Sequence, residues 1–334
     1  MVIYIRHTLY MVKKINSVKN IAPLSSFSDI TIAVFGDSML DTFITGTVTR
    51  ISPEAPIPVV KHIKETNHPG GAANVAHNIA SLGGKVTLIT IVSDDEAGNL
   101  LLTSLRDASI YIDHVHVDPQ TTTIQKTRIL AHGQHMLRID KEVIEPLSST
   151  NEKIILTKFL KTIDIYQAVI LSDYAKGFLT KTLVRAIKRN CKKKNIPIIV
   201  DPKPENIELF KGATIITPNL KELLAITKEN DVRKAAKQLQ KNLGSDILVT
   251  LGSDGMYLLH NQEETTLQAQ AREVFDVSGA GDTVIATLAL CLAQGRSIKD
   301  AAYVANVAAG IVVGKSGTAT VSFEELSSFL QKRK

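Results

Sequence analysis

The amino-acid sequence predicts an α/β fold: a central, mainly parallel sheet with helices on both faces and a small β-strand lid near its ligand edge. The first observation behind this is an alternation. From about Thr31 onward, the short apolar runs TIAVFG, VTLITIV, AVILS, IPIIVD, TIITP and DILVTLG are separated by helical patterns such as Ala72–Leu82, Lys181–Lys194 and Val232–Leu243. Apolar strands alternating with helices argue for a parallel sheet covered on both sides. The second observation is where the alternation breaks. Residues 43–63, containing ISPEAPIPVVKHI, and residues 121–140, TTTIQKTRILAHGQHMLRID, read as strands without intervening helices. They predict the lid, as an antiparallel flap.

The remaining bulk properties bound the answer. A chain of 334 residues, 44% hydrophobic and 22% charged, can bury one large core with an accessory element. No repeat, low-complexity tract or linker divides it. One domain is expected over residues 30–332, behind a poorly ordered N-terminal extension at 1–29. In that extension the lysine pair of MVIYIRHTLYMVKK follows the apolar part, the reverse of a secretory signal. No stretch reaches the roughly 20 apolar residues that cross a bilayer, so no membrane association is expected. The net charge is +6, but the lysines are spread along helical surfaces, which argues against a nucleic acid partner. Two cysteines, Cys191 and Cys291, make neither a disulfide framework nor a thiolate zinc site. The nine histidines contain no HExxH, so no histidine metal site is expected. A reducing cytoplasm is the expected compartment.

Two small-residue clusters carry the chemistry. Asp276-Val-Ser-Gly-Ala-Gly-Asp282-Thr runs directly into the apolar helical stretch VIATLALCLAQG. Gly279, Ala280 and Gly281 let backbone approach a ligand, and N–H groups at a helix start form an anion hole for a phosphoryl group. Asp282, on the same first turn, is placed to accept a proton from an attacking hydroxyl. Read alone, GAGD is equally an acidic residue complementing a helix dipole. The second cluster, His68-Pro-Gly-Gly-Ala-Ala-Asn74-Val-Ala-His-Asn78, also opens a helix, where bare backbone and an amide can meet sugar hydroxyls. Its simpler reading is a tight turn followed by a packing face.

Together, and in this order, the clusters resemble the ribokinase-like (PfkB) carbohydrate kinase family over about residues 30–330. The family's N-terminal signature corresponds to GGAAN, with Gly70, Gly71 and Asn74, and its C-terminal signature to DVSGAGDT at 276–283. The resemblance implies an ATP- and Mg²⁺-dependent phosphotransferase with Asp282 as the base. Thr217-Pro-Asn219-Leu-Lys-Glu222 looks like the family's NxxE element, which places Glu222 near Mg²⁺ through water; without the family it is an ordinary helix cap. Thr250-Leu-Gly252-Ser-Asp-Gly255 resembles the nucleotide-side loop, and Asn306 with Gly314 would close over adenine and ribose. In some relatives the residue matching Asp276 helps hold a monovalent cation such as K⁺. AGIVVGKS at 309–316 imitates a P-loop, but it reads as the end of a helix, with Gly314 as the stop, and not as a strand-to-helix loop.

Within that family the resemblance is strongest to the kinases of D-glycero-β-D-manno-heptose 7-phosphate. It rests on FGDSMLD (35–41), TRISPEAPIPVV (49–60), PGGAANVAHNIASLG (69–83), QHMLRID (134–140), LSDYAKG (171–177) and GKSGTATVS (314–322). It implies phosphorylation of the anomeric O1 to the 1,7-bisphosphate, in ADP-heptose synthesis for lipopolysaccharide core. Asp37, Asp41, Asp140 and Asp173 are candidates for sugar hydroxyls. Lys126, Arg128, Arg138, Lys176 and Lys203 are candidates for the 7-phosphate, although for any single one a solvated face is the plainer reading. No HxGH element is found, so a separate nucleotidyltransferase, and a phosphatase, would complete the pathway. Exposed lid strands lead to the expectation of a homodimer. The rival readings are another sugar kinase of the same fold, acting on a pentose, hexose or hexose phosphate, and a sugar-binding protein without catalysis.

Overall fold

The computed structural model describes residues 14–15, 22–271, 274–315, 317 and 319–332. In chain order it begins with strands β1 (Lys14–Ile15), β2 (Thr31–Gly36), β3 (Ser38–Ile51) and β4 (Pro58–Gly71) and helix α1 (Ala72–Ser81). Strands β5 (Lys85–Ile89) and β6 (Ile91–Val92), helix α2 (Glu96–Asp107), strand β7 (His116–Val117) and the hairpin β8 (Ile124–Ala131) and β9 (Gln134–Lys141) follow. The middle of the chain is α3 (Ser149–Thr162), β10 (Ala168–Ser172), α4 (Lys181–Lys194), β11 (Ile198–Asp201), β12 (Ile215–Ile216), α5 (Leu220–Thr227) and α6 (Val232–Leu243). It closes with β13 (Asp246–Thr250), β14 (Met256–His260), β15 (Glu263–Leu267), α7 (Ala280–Ala293), α8 (Ile298–Val312) and α9 (Phe323–Gln331).

The main sheet has the order β1-β15-β14-β13-β12-β11-β10-β2-β5. Strands β5, β2, β10, β11, β12 and β13 are mutually parallel, and β14 runs against its neighbours. The period of two along each strand sorts its side chains into two cores. Ile32 and Val34 face the layer of α1, α2, α7 and α8, whereas Ala33 and Phe35 face the layer of α3 to α6. Phe35 meets Phe159 edge to face at 4.9 Å. Each such buried aromatic or aliphatic side chain contributes about 1.5–3 kcal/mol, which is why uninterrupted apolar runs become central strands. Strand β2 lies between β5 and β10, so the chain leaves it in both directions. Ligands bind open α/β sheets at such a switch point, outside the strand C-termini.

The lid corrects two expectations. Its sheet has the order β4-β3-β8-β9, and the central β3–β8 pair is parallel, so it is a mixed sheet and not an antiparallel flap. The reason is connectivity: β8 arrives after a crossover through α2, not through a hairpin. The strands also begin earlier and end later than 43–63. Only Asp37 separates β2 from β3, and β4 runs without a break into α1, so the lid grows directly from the switch point.

At the N-terminus, residues 22–29 pack on the domain and do not stand apart from it. Phe27 is fully buried against Phe323, Gln294 donates to the Ser25 and Ser26 carbonyls, and Arg296 donates to those of Ala22 and Pro23. Residues 14 and 15 pair with β15; the rest of the predicted extension lies outside the described residues. Cys191 and Cys291 are both free and buried, and burial pushes their thiols up to about 12. Among the described residues no helix is long and apolar enough to cross a membrane.

Candidate active site

Among the described residues, seven of the nine α-helices begin on a side chain that caps their free N–H groups: Asp95, Ser148, Thr180, Asn219, Asp231, Ser297 and Ser322. Helices α1 and α7 begin on Gly71 and Gly279 with no side-chain cap. They start from the two small-residue clusters, they pack on each other, and uncapped N-termini are where anions bind. Both glycines are required by geometry. Gly71 has φ +62, and a Cβ there would lie 2.3 Å from the Asp37 carbonyl oxygen; Gly279 has φ +78, and a Cβ would lie 2.9 Å from Asn74 Nδ2. A Cβ on Gly281 would meet nothing within 4 Å, which leaves the turn open to a ligand.

Asp282, on the first turn of α7, is buried. Asn74 Nδ2 donates to its Oδ2 at 2.6 Å and the Tyr174 hydroxyl donates to its Oδ1 at 2.9 Å. Burial pushes the carboxyl up to about 6, against the hydrogen bonds from Asn74 and Tyr174; the Asp41 charge adds to the rise and Lys203 opposes it. That value suits a base near neutral pH. A second tie fixes the two helices: the Thr283 hydroxyl donates to Asn78 Oδ1 at 2.7 Å, and Asn78 Nδ2 donates to the Asn74 carbonyl. Asn74 therefore holds the candidate base.

The other predicted acids divide by surroundings. Asp37 accepts the N–H groups of Tyr174, Lys176 and Phe178, and Asp173 accepts those of Ala175 and Lys203 together with Asn206 Nδ2. Burial pushes both carboxyls up. Their oxygens accept the N–H groups that shape the 173–178 loop. Asp41, beside Asp282, is paired with Arg128 at 2.5 Å, and the Arg128 guanidinium lies over the Phe43 ring. By strand register Asp41, Lys126, Arg128, Arg138 and Asp140 share one lid face, with Asp41 opposite Lys126 and Lys126 opposite Asp140. Arg138 pairs with Asp140 at 2.8 Å and Lys176 with Glu142 at 2.7 Å. Burial, then the neighbouring Lys176, pulls Lys126 below the ordinary ammonium range, so an anion here would be bound by strained positive charge.

On the side expected to hold the nucleotide, Asn219 and Glu222 form a reciprocal capping box, as the plain reading of the motif expected, and Glu222 also meets Lys203 Nζ at 2.5 Å. Burial lowers Lys203, but Glu222, Asp201 and Asp173 outweigh it and hold the ammonium above its usual range. Asp201, at the end of β11, is pushed far up by burial and then by the charges of Asp282 and Glu222. Thr250 bridges to Asn219, and Gly252 (φ +61) opens a turn with nothing within 4 Å of its Cβ position. Gly255 is a packing glycine: a Cβ there would lie 2.0 Å from the Leu267 carbonyl oxygen. Asn306 is buried and donates to the Gln268 carbonyl at 2.7 Å, so it pins the segment after β15 to α8. Helix α8 stops just before Gly314, with Val313 as its last capping residue. Helix α8 ends where the Val313 carbonyl accepts the N–H groups of Phe275 and Asp276. Residues 309–312 are helical, which excludes a P-loop. Asp276 Oδ1 accepts the Ser278 N–H at 2.8 Å, turning the chain into the Gly279 start.

Sequence reasoning missed Tyr174 and Asp201. Tyr174 sits within the LSDYAKG stretch but reaches Asp282 across 108 positions. Asp201 ends an apolar strand, and that position at a strand C-terminus was the signal available.

The pfkB family carbohydrate kinase model matches residues 29–325. Among curated proteins, the chain is 40% identical over 304 residues to the bifunctional protein HldE of Sulfurimonas denitrificans, covering 89% of this chain and 64% of that protein. It is 44% identical over 315 residues to the HldE of Desulfatibacillum aliphaticivorans, covering 92% and 64%. The chain thus spans less than two thirds of the length of these relatives. The fold matches Arabidopsis thaliana ribokinase complexed with ribose and ATP, with TM-score 0.72, 21% identity, and 93% and 99% coverage. It also matches Escherichia coli phosphofructokinase-2 in complex with potassium, with TM-score 0.74, 21% identity, and 91% and 98% coverage. The two glycine-started helices, the buried carboxylate between them and the matched span agree: the chain belongs to the pfkB family of carbohydrate kinases and is a phosphotransferase acting on a sugar.

Proposed function

We propose that the chain transfers the γ-phosphoryl group of ATP to the anomeric O1 of D-glycero-β-D-manno-heptose 7-phosphate, giving the 1,7-bisphosphate and ADP for ADP-heptose synthesis in the cytoplasm. The observation that carries the chemistry is Asp282, buried between Asn74 and Tyr174 on the first turn of an uncapped helix. Asp282 takes the O1 proton as O1 forms its bond to the γ-phosphorus and the bond to ADP breaks. The free N–H groups at the start of α7 hold the phosphoryl oxygens as they gain charge. Substrate choice is supported by the resemblance to heptose phosphate kinases and by the lid face, where Lys126, Arg128 and Arg138 stand within reach of the Asp41 side of the site.

The residues fit a divalent cation. Asp201 and Glu222 repel each other and Asp282, and Lys203 is the cation that faces all three. Mg²⁺ keeps several waters and is commonly held by one or two carboxylates together with substrate phosphates. Glu222 would hold it through water, and bound Mg²⁺ supplies charge neutralisation between the phosphates. Asp276 is the proposed contributor to a monovalent-cation site.

The test is ADP release from ATP and Mg²⁺ with heptose 7-phosphate, ribose, fructose or fructose 6-phosphate as acceptor. Turnover confined to the heptose phosphate is expected; turnover on another sugar retains the kinase and overturns the substrate. We extend the proposal to a homodimer through the lids, because Leu137 and Ile139 are more than half exposed on one β9 face. Light scattering at micromolar concentration should give twice the chain mass, and a monomer would refute it.

A further inference from the structure

The loop at residues 173–178 is built as a mount for a single side chain. It has no helix or strand of its own, and its backbone enters the left-handed region at Ala175 (φ +54) and at Gly177 (φ +106), where a Cβ would lie 2.0 Å from the Glu145 carbonyl oxygen. Such backbone persists only where the surroundings over-determine it. Here two buried carboxylates do so: Asp37 grips three of the loop's N–H groups, and Asp173 ties Ala175 to Lys203 and Asn206. What the loop presents is Tyr174. Its hydroxyl donates to Asp282 Oδ1 at 2.9 Å, and the Lys203 ammonium, paired with Glu222, lies 5.6 Å from its ring centroid.

We infer that Tyr174 is a positioning residue: its hydroxyl fixes the Asp282 carboxylate in the orientation that receives the acceptor proton, and its ring couples that carboxylate to the Lys203–Glu222 pair. The inference rests on the role of base proposed for Asp282. Burial, then the nearby charge of Asp282, pushes the phenol far above its ordinary range, so Tyr174 stays a donor and never competes as the base. A hydrogen bond given to a carboxylate favours its ionised form. The groups facing Asp282 are Asn74 from α1, Asp41 from β3, Asp201 from the end of β11, Lys203 beyond it, and Tyr174 itself. Without the phenol hydroxyl, burial and the Asp41 charge are opposed by the Asn74 hydrogen bond and Lys203.

The test is titration of the Asp282 carboxyl by carbon-13 NMR of protein labelled at the aspartate carboxyl carbons, assigned with Asp282→Asn. Tyr174→Phe keeps the ring over Lys203 and removes the donor. Its Asp282 titration should move upward by about one pH unit, the acid limb of kcat/KM should move with it, and KM for ATP should stay within about twofold. A ring-fluorinated tyrosine placed at 174 is a stronger donor and should move the titration downward; it decides the question if Tyr174→Phe does not fold. A titration unmoved in either folded variant would overturn the inference. The titration needs no substrate, so a wild-type protein inactive on the heptose phosphate would refute the proposed function and leave this result standing on its own.

Discussion

On the acceptor side of the site Asp282 is held at 2.6 Å by Asn74 and at 2.9 Å by Tyr174, with Asp37 and Asp173 bracing the loop behind Tyr174. On the side proposed for the nucleotide Thr250 and Gly252 offer turns of backbone, Gly255 packs against the Leu267 carbonyl and Asn306 donates to the Gln268 carbonyl. The difference follows the chemistry. A general base must be aimed before it can act, so it is built from side chains locked by hydrogen bonds. A nucleotide is grasped by shape and backbone, so its side tolerates open turns of small residues.

The largest effect expected from breaking this contrast is at the base. Asp282→Asn should lower kcat about 10³-fold while ATP binding by calorimetry is retained; unchanged turnover would remove the acceptor side from the mechanism. A smaller effect separates packing from binding on the nucleotide side. Gly255→Ala meets both a positive φ and the Leu267 carbonyl at 2.0 Å and should cost more than about 2 kcal/mol in denaturant unfolding. Gly252→Ala meets only the positive φ and should cost about 1 kcal/mol, so any rise in its KM for ATP reports contact with the nucleotide. Equal stability losses at the two positions would erase the distinction.

The legibility of the molecule divides along the same line. Helices α4 and α6 begin and end where the periodicity of Lys181–Lys194 and Val232–Leu243 places them, because amphipathic periodicity is local. The glycine clusters are legible for a related reason: a helix start without a cap is written in adjacent residues. The lid was only partly legible. A strand continuing past a single residue, Asp37, leaves no turn signal, and the parallel β3–β8 pairing depends on a crossover, not on either strand's composition. Least legible were the functions of Asp37, Asp173 and Tyr174. All three lie in stretches that drew attention, but whether a carboxylate faces a sugar or a backbone N–H is set by partners more than 100 positions away for Asp37 and Tyr174, and 30 or more away for two of Asp173's three donors.

The most direct measurement of the central claim, that Asp282 is the base, is the pH dependence of kcat/KM. The carboxyl, raised from an ordinary 3.8 to about 6 chiefly by burial, must be ionised to accept the acceptor proton. Activity should therefore fall as pH drops through about 6, and the residual activity of Asp282→Asn should show no such limb. A profile flat from about pH 7 to 5, or an acid limb that persists in Asp282→Asn, would contradict the account.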